Sequence, residues 1–517
     1  MQFTKRLASL SLLIALLQAG PSAQTAYNVC DYGAQADGTT LTTKAIQDAI
    51  DACHQNGGGQ VVFPAGQYLS GTIELRDNVY LVLNGGATLL GSKNIADYEP
   101  KYLVIARDAK NIGLLGPGLI NGQGDAFWRD KERPYVRPER TIELERCSNV
   151  LIRDLQIRNS AAFNIALEEC DRVTITGVSI INDRNAPNTD GIDPISSSNV
   201  LISDCYIETG DDAICPKSHG TEKPCENLVV TNCVLISDDS AIKCGTRSDG
   251  AIRHCSFSNI VIRDTKYGIG FYMKDGGVYE DIQFSNISIE TTRRGLERSF
   301  GTNSYAIFMD IEKREPSGTL GRIRDIAFSD IHIVTPDGNC LLAGMPEQKI
   351  ENVAFDNVWM RVTDRTDLSG RRKPRGTRSL TDRATNDCAD VLSHWTFAHI
   401  DGLTLRNFFI QDETGSAAFE RHGVWALNVA DFTVDGFRIE QAQPNETLAM
   451  IHLQDCRNAR LEKTMAGKLS VPFVQILGEA TRRISLINND WSLSAKPLVV
   501  GKEIKSKEIF RQGNRVE

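Results

Sequence analysis

The most informative part of the sequence is residues 177–217, which read GVSIINDRNAPNTDGIDPISSSNVLISDCYIETGDDAICPK. It contains two short apolar segments, Val178–Ile181 and Val200–Ile207, which we interpret as strands. Each is followed by a turn rich in carboxylates, 188–193 and 210–212. If the strands lie side by side, three or four acids converge. Hydrolysis of a sugar acetal needs such acids, one to protonate the leaving oxygen and another to activate water.

A repeat indicates that these strands are neighbours. The pattern apolar-x-apolar-x-turn residue-apolar-x-apolar recurs at a near-constant step, and two longer steps each fit one repeat plus an inserted loop. The turn residues, called markers below, are Asp154, Gly177, Asp204, Asn232, Asn259, Asn286, Asp330, Asn357, Asn407 and Gly436. Strand-like units at a period of roughly 20–50 residues indicate an all-β solenoid, and we predict a right-handed parallel β-helix. A β-propeller, the alternative, repeats at about 40–45 residues, which is too long for this spacing.

The repeat gives each residue a position along the axis, because equal offsets from the markers stack at about 4.8 Å per coil. Asp211 and Asp212 lie as many residues after Asp204 as Asp239 and Ser240, respectively, lie after Asn232. The offsets place a set of polar residues along one face, as a groove for an extended polymer. They are Asp190, Asp211, Asp212, Asp239, Ser240, Tyr272 and Lys274.

Composition bounds the function. One solenoid can use the whole chain of 517 residues, and the net charge of −9 argues against a nucleic-acid partner. Lys5 and Arg6 precede an apolar run, 7–17, and small residues follow near Ala23, which is typical of a secretory signal peptide. We therefore expect a signal peptide over 1–23 and one β-helix domain over 24–517. The protein is expected to be secreted or periplasmic, monomeric and not inserted in a membrane.

Thirteen cysteines in an exported chain raise the question of disulfides. Five of them flank repeat strands, and we predict that they are buried free thiols rather than bridges. They are Cys147, Cys170, Cys205, Cys233 and Cys255. No CxxC pair occurs, and we expect neither a metal site nor a cofactor.

The ends and insertions have their own patterns. Thr42 or Thr43 can cap a helix that ends at 57–59, and its apolar stripe predicts an N-terminal cap on the β-helix. Two insertions, 290–306 and 361–395, are rich in arginine. They are either solvated loops or, for the second, a basic wall for a polyanionic substrate. The C-terminal segment, 448–517, is interpreted as degenerate coils and a C-terminal cap.

The chain resembles glycoside hydrolase family 28, the polygalacturonases and related pectin hydrolases. The resemblance covers nearly all of the chain after residue 23, including Asp31–Ala34, Leu115–Gly124 and the repeats. Its specific part is Asn188-Thr189-Asp190-Gly191-Ile192-Asp193 followed by Gly210-Asp211-Asp212-Ala213-Ile214, one coil apart.

The resemblance implies an inverting hydrolase of galacturonosyl linkages that needs no metal. Asp211 would be the general acid, while Asp190 and Asp212 would hold and deprotonate the water. Crowded carboxylates cannot all ionise easily, so one keeps its proton near neutral pH. For inversion we expect the Asp190 and Asp211 carboxyls roughly 6.5–9.5 Å apart. Asp193 is expected to be a turn residue.

Two positions depart from the family pattern. Polygalacturonases usually carry Gly-His-Gly one coil after the aspartate pair, where this chain has no histidine in 237–245. Family members that act on rhamnogalacturonan also lack it, so rhamnogalacturonan or another uronate-linked pectin is an alternative substrate. The family's Arg-x-Lys corresponds to Tyr272-Met273-Lys274, which keeps only the lysine. We expect Lys274 to hold a substrate carboxylate and Tyr272 to stack on a sugar face.

Four further residues are candidates for substrate binding. Lys243 and His219 can replace the missing cations, and Asn188 lies in the first acidic turn. Asp239 can bind a sugar hydroxyl or raise the pKa of Asp211 by like-charge repulsion.

Two other classes of function stay open from sequence alone. A calcium-dependent lyase of the pectate type shares the β-helix and would use the acidic cluster for Ca²⁺ and a lysine as base. A non-catalytic glycan-binding solenoid shares the fold too. A binder has no need of three crowded aspartates, which favours an enzyme.

Overall fold

The computed structural model describes residues 26–220, 223–292, 304–336, 338–363, 388, 391–414, 421–441, 448–467 and 469–516. The predicted signal peptide, the centre of the 290–306 insertion and most of the 361–395 insertion lie outside these ranges. Within them the chain winds as a right-handed parallel β-helix, so the predicted fold is confirmed. Each coil contributes strands to a first, a second and a third parallel sheet.

The first sheet stacks one strand from each successive coil. Its separate strands are β1 (Ala26–Asn28), β3 (Gly59–Phe63), β6 (Val79–Leu83), β9 (Lys110–Leu115), β12 (Ser148–Arg153), β15 (Asp171–Thr176), β18 (Ser198–Ser203), β20 (Cys225–Thr231), β33 (Arg457–Glu462), β35 (Arg482–Ile487) and β37 (Ile509–Gln512). The second sheet follows it after a turn. Its separate strands are β2 (Asp37–Leu41), β4 (Gly66–Ser70), β7 (Ala87–Gly91), β10 (Leu119–Asn121), β13 (Gln156–Arg158), β16 (Ser179–Ile181), β19 (Tyr206–Thr209) and β21 (Val234–Ser237).

Some strands run through more than one sheet. Those shared by the first and second sheets are β23 (Ala251–Thr265), β25 (Val278–Thr291), β27 (Arg322–Thr335) and β29 (Ile350–Val362), and those that pass through all three are β30 (Ser393–Asp412) and β31 (His422–Gln441). The third sheet carries the candidate site. Its strands are β5 (Ile73–Glu74), β8 (Tyr102–Arg107), β11 (Arg140–Glu145), β14 (Phe163–Glu168), β17 (Ile192–Ile195), β22 (Ser240–Cys244), β24 (Tyr267–Met273), β26 (Tyr305–Ile311), β28 (Cys340–Ala343), β32 (Ile451–Gln454), β34 (Leu469–Leu477) and β36 (Ser494–Val500).

The markers form the turn between the first and second sheets, as predicted. All ten have positive φ, between 48° and 81°, a region that Asn, Asp and Gly enter most readily. Thr176 pairs with Ser203 and Ser203 with Thr231, so Gly177, Asp204 and Asn232 stack in one column. Asn232 Nδ2 donates to Asp204 Oδ1 at 3.3 Å. The apolar segment 200–207 is therefore two strands, β18 and β19, that meet at Asp204.

The turn from the first to the second sheet fixes the register, and the turns at the other corners vary in length. The turn from the first to the second sheet keeps the same short length in consecutive coils, as at 154–155, 177–178 and 204–205. The turn from the second to the third sheet is long in one coil, 122–139, and as short as 238–239 in another. Loops at this one corner can therefore differ in length without moving the strands.

The core is a set of stacked side chains inside the coils. In the third sheet Ile165, Ile192, Ile214, Ile242 and Ile269 lie in register and are buried. β-Branched side chains suit such a pleated, fully buried surface. Because successive residues of a strand point to opposite faces, the neighbours of these isoleucines point outward, toward the candidate site.

Cysteines occupy corners of the coils. All thirteen are free, and the five predicted to be buried thiols are buried, which confirms that prediction. Each of the five directly follows a residue of positive φ in a turn. Cys170 Sγ, for example, lies 3.2 Å from the backbone oxygen of Leu144. The small side chain fills the corner and its thiol bonds the backbone.

A helix covers the N-terminal end of the solenoid, and regular coils extend to its C-terminal end. Helix α1 (Thr43–Gln55) buries Ile46, Ala49, Ile50 and Cys53 against the first coils, so the N-terminal capping helix is confirmed. A second, one-turn helix is α2 (Asp125–Trp128), and 3₁₀ turns cover Val29–Tyr32, Ile95–Asp97 and Ser506–Glu508. Regular coils continue to β37, further than the weak repeat predicted. No helix in the described ranges is long and apolar enough to cross a membrane.

Candidate active site

The variable corner brings the predicted acids together. Ile192 pairs with Ile214, which places Asp190 beside Asp212 in adjacent coils. Ile214 pairs with Ile242, which places Asp239 beside Asp211, as their equal offsets predict. One carboxylate oxygen from each of Asp190, Asp211 and Asp212 lies within 4.8 Å of the other two. We call these three residues the acid trio.

Backbone hydrogen bonds hold the turns that carry the trio. The backbone oxygen of Asp190 accepts from Asn164, from its N–H at 2.9 Å and its Nδ2 at 2.8 Å. The backbone oxygen of Asp211 accepts from the hydroxyls of Thr209 and Ser237, each at 2.7 Å. These buried bonds fix where the carboxylates point, as catalysis in a preorganised site requires.

Two lysines neutralise two members of the trio. Lys217 Nζ lies 3.1 Å from Asp190 Oδ2 and also contacts Asp193 Oδ1. Lys243 Nζ contacts Asp212 Oδ2. Asp190 and Asp212 are buried, whereas Asp211 is partly exposed. Among the described residues no lysine or arginine forms an ion pair with Asp211, so this acid is both the accessible one and the one without a direct cation.

The pKa values follow from this arrangement. Burial and the charges of Asp190, Asp212 and Asp239 raise the pKa of Asp211 well above its ordinary value, which Lys243 opposes only in part. Burial also raises the pKa of Asp190, and Lys217 opposes this shift. Asp211 thus keeps its proton to a higher pH than Asp190 does.

The structure corrects the interpretation of Asp193 and adds Lys217 to the site. Asp193 is not an exposed turn residue; it lies in β17, is completely buried, and burial raises its pKa to about 7. Burial alone would lower the pKa of Lys217, but Asp193 and the neighbouring Cys215 and Asp190 raise it well above its ordinary value. The alternation after Ile214, with Pro216 inward and Lys217 outward, was the signal that could have found this lysine.

Some of the predicted binding residues lie near the acid trio and others do not. Lys243 and Asp239 lie at the trio, and Asn188 is exposed in the loop that carries Asp190. His219 does not join them: its Nε2 lies 3.0 Å from Arg247 Nη1. Burial and Arg247 lower its pKa, so the ring is neutral at neutral pH and does not replace a missing cation.

Tyr272 and Lys274 also differ from expectation. Tyr272 is completely buried, and its ring centroid lies 5.0 Å from that of Phe308, so the ring packs on protein rather than offering a face to a sugar. Lys274 is buried and its Nζ lies 3.2 Å from Oε2 of Glu312. It is neither a solvated turn lysine nor an exposed carboxylate grip.

The separation expected for inversion is not observed. Nearest carboxylate oxygens of Asp190 and Asp211 lie within 4.8 Å, below the roughly 6.5–9.5 Å expected. The trio surrounds one small space instead of flanking a sugar ring from two sides. One water that donates to two carboxylates separates their oxygens by about 4.5 Å at ordinary hydrogen-bond lengths, so this space suits a single water.

Comparison with known proteins agrees with the fold. The family profile "Glycosyl hydrolases family 28" matches residues 53–367, and the chain belongs to this family of glycosidases. It is 28% identical over 365 residues to a probable polygalacturonase of Vitis vinifera, covering 64% of this chain and 73% of that one. It is 26% identical over 397 residues to an endo-polygalacturonase of Pectobacterium carotovorum, covering 69% and 95%.

Solved structures show the same fold at low identity. An exopolygalacturonase from Thermotoga maritima gives a TM-score of 0.53 at 20% identity, covering 65% of this chain and 87% of that one. A family 28 exopolygalacturonase from Yersinia enterocolitica gives 0.53 at 18% identity, covering 81% and 79%.

Proposed function

We propose that this glycosidase hydrolyses galacturonosyl linkages of pectic polysaccharide, as a polygalacturonase does. One observation carries the proposal: two acids of the trio contact lysines, while the third, Asp211, is partly exposed and has its pKa raised well above its ordinary value. A proton donor next to two ionised carboxylates is what acid–base cleavage of a glycosidic bond requires.

Each member of the trio has a distinct role in this proposal. Asp211 donates its proton to the leaving oxygen of the scissile bond. Asp190 and Asp212, which pair with Lys217 and Lys243, hold one water and remove its proton as it attacks the sugar. The water then adds to the face of the sugar opposite the leaving group, and the product anomer is inverted.

The lysine contacts support inversion despite the short separation. A carboxylate that must attack the sugar itself loses nucleophilicity when an ammonium group holds its oxygen. Asp190 and Asp212 both have such a partner, which suits orienting and deprotonating water better than forming a covalent intermediate.

The same contacts argue against the lyase alternative. A lyase needs a neutral base to take a proton from the sugar, and the carboxylates around Lys217 raise its pKa well above its ordinary value. Its ammonium group also lies between Asp190 and Asp193, where a bound Ca²⁺ would have to displace it.

The substrate class is testable directly. We expect the purified protein to release reducing ends from polygalacturonan, without an ultraviolet-absorbing unsaturated product. Rhamnogalacturonan and a neutral glycan belong in the same panel, with Asp211→Asn as the inactive control. Activity confined to neutral glycans would contradict the proposal; activity confined to rhamnogalacturonan would move it to that pectin.

We further propose that the protein is exported as a monomer. The expected signal peptide over 1–23 would leave the single domain 24–517 as the mature chain. Intact mass of the exported protein and light scattering of the purified protein test the two statements.

A further inference from the structure

A second cationic surface lies two coils before Asp190, at the same corner of the solenoid. The turn between β10 and β11 spans 122–139, whereas the corresponding turn of the next coil spans only 159–162. The extra residues must extend away from the coil, because the strands on either side keep their register.

This long turn rests on the loop that carries Asp190. Arg129 Nη2 lies 2.7 Å from Asp183 Oδ2. Arg137 Nη1 donates to the backbone oxygens of Ala161, at 2.6 Å, and Pro187, at 2.7 Å. Its Nη2 donates to Asn188 Oδ1 at 2.9 Å. The turn thus passes over the short turn 159–162 and contacts the catalytic loop 182–191 at both of its ends.

Between these two anchors the turn carries Lys131 and Arg133, two acids, Asp130 and Glu132, and one aromatic residue, Tyr135. Two guanidinium groups lie near the ring of Tyr135, with Arg133 5.6 Å and Arg137 5.4 Å from its ring centroid. Lys131 and Arg133 are exposed, and neither forms an ion pair among the described residues.

A cavity of about 440 Å³ opens beside this turn. Lys93 from the preceding coil and Lys131 line it, together with Tyr135 and Phe127. Lys93 is also exposed and has no ion pair among the described residues. A volume of this size suits one small polar ligand or sugar unit. Two ammonium groups and an aromatic ring in one lining match a sugar that carries a carboxylate, and the two lysines outnumber the one carboxylate of the lining, Glu132.

We propose that this cavity is a distal subsite for an acidic sugar of the same polymer chain whose bond is cleaved at the acid trio. The inference rests on the proposed function, because it takes the substrate to be a polyuronate. The two turns that form the cavity lie two and three coils from the Asp190 turn, about 10–14 Å along the axis. A polymer that follows the axis reaches it several sugar units from the scissile bond. Lys93 and Lys131 hold the carboxylate, and Tyr135 contacts the sugar face.

Oligomers of different length distinguish a loss of binding at this subsite from a loss of activity at the catalytic centre. In the double variant Lys93→Ala/Lys131→Ala, kcat/KM on oligogalacturonides long enough to reach the cavity should fall about tenfold. The loss on the shortest oligomer cleaved should be clearly smaller. Both lysines are exposed, so the fold tolerates the change. Lys463→Ala, which removes an exposed lysine far along the solenoid, is the matched control and should leave the length dependence unchanged.

Methyl-esterified oligomers provide a second, independent comparison. Esterification removes the carboxylate charge, so the wild-type advantage on long oligomers should disappear and the double variant should then equal wild type. An equal loss at every length, or no loss at any length, would overturn the subsite. If wild type cleaves no oligogalacturonide, the proposed function fails instead, which is a different outcome.

Discussion

Lys217 is the residue whose removal tests the proposed chemistry most directly. Its ammonium group lies 3.1 Å from Asp190 Oδ2, contacts Asp193, and lies over the ring of Phe163, 4.7 Å from the centroid. Lys217→Met keeps the apolar stem and removes the charge. Without the cation the protonated form of Asp190 is favoured, so the pKa of Asp190 rises.

The size of the effect follows from Coulomb's law. Unit charges at 3.1 Å interact by about 5 kcal/mol at an effective dielectric constant of 20. Water that enters the vacated space reduces this value. Since each pKa unit corresponds to about 1.4 kcal/mol, a rise of at least about one unit is expected. The base must be ionised to act, so the variant should lose kcat/KM at a higher pH than wild type as the pH falls.

The Lys217→Met variant loses activity at acidic pH but loses stability at alkaline pH. Lys217 lowers the pKa of Asp193, which is about 7 with the lysine present, so in the variant Asp193 ionises only at higher pH and is then without its lysine. Loss of one partner of a buried ion pair costs about 3–5 kcal/mol, a penalty that applies at alkaline pH and disappears where the carboxyls are protonated. Thermal unfolding across the pH range identifies the conditions in which the variant is folded and its kinetics are meaningful.

The assay is the pH profile of kcat/KM on polygalacturonan. Lys463→Met is the matched control, because it breaks a pair of similar length, 3.0 Å to Asp435 Oδ1, at an exposed position. Its profile should match that of wild type. A folded Lys217→Met protein whose acidic limb coincides with that of wild type would refute the role given to Lys217 and Asp190.

Three further predictions concern the acid, the stereochemistry and the buried lysine. Asp211→Asn should lower turnover by about 10²–10⁴-fold, and near wild-type turnover would exclude Asp211 as the general acid. Because the folded pKa of Asp211 is raised, its ionisation costs stability as pH rises above about 4, so Asp211→Asn should raise Tm at pH 8 more than at pH 4. NMR of the first product should show the anomer opposite to the cleaved linkage, and a retained anomer would remove Asp190 as the base. Lys274→Ala should not weaken catalysis selectively on uronate polymers, because this lysine is buried and pairs with Glu312. It also leaves Glu312 buried without its cation, so the expected cost is about 3–5 kcal/mol, which Lys274→Met/Glu312→Gln should recover in Tm.

Sequence predicted the fold because the markers have a physical cause. Asp204, Asn232 and Asn259 must adopt positive φ to join the first and second sheets in a two-residue turn, and such positions select Asn, Asp and Gly. Counting from a marker therefore locates strands reliably, and it aligned Asp211 with Asp239.

The same counting failed where it crossed the turn from the second to the third sheet. Asp190 follows its marker, Gly177, at a larger offset than Asp212 follows Asp204, because the first of these turns is longer. Tyr272 follows its own marker at the same offset as Asp190, yet the register places Tyr267, not Tyr272, in the row of Asp190. Offsets cannot reveal loop length, so this part of the site required the structure.

Burial on both faces of the third sheet explains the other misses. Asp193 lies in a strand whose residues are all buried, so no alternation of apolar and polar residues marked it as part of a strand. The alternation that marks Lys217 does not show which acid it contacts. Their partnership depends on contacts between coils that the local sequence does not contain.

The contrast between fixed and variable turns has a consequence for how such a protein can change. The short turn from the first to the second sheet keeps the coils in register, while the corner that carries the chemistry accepts loops as short as 238–239 and as long as 122–139. Substrate specificity can therefore change by replacement of a single loop. Exchanging 122–139 for a turn as short as 159–162 would reshape one end of the groove while the coils beneath it stay in place. Evolution can vary what the enzyme recognises separately from what keeps it folded.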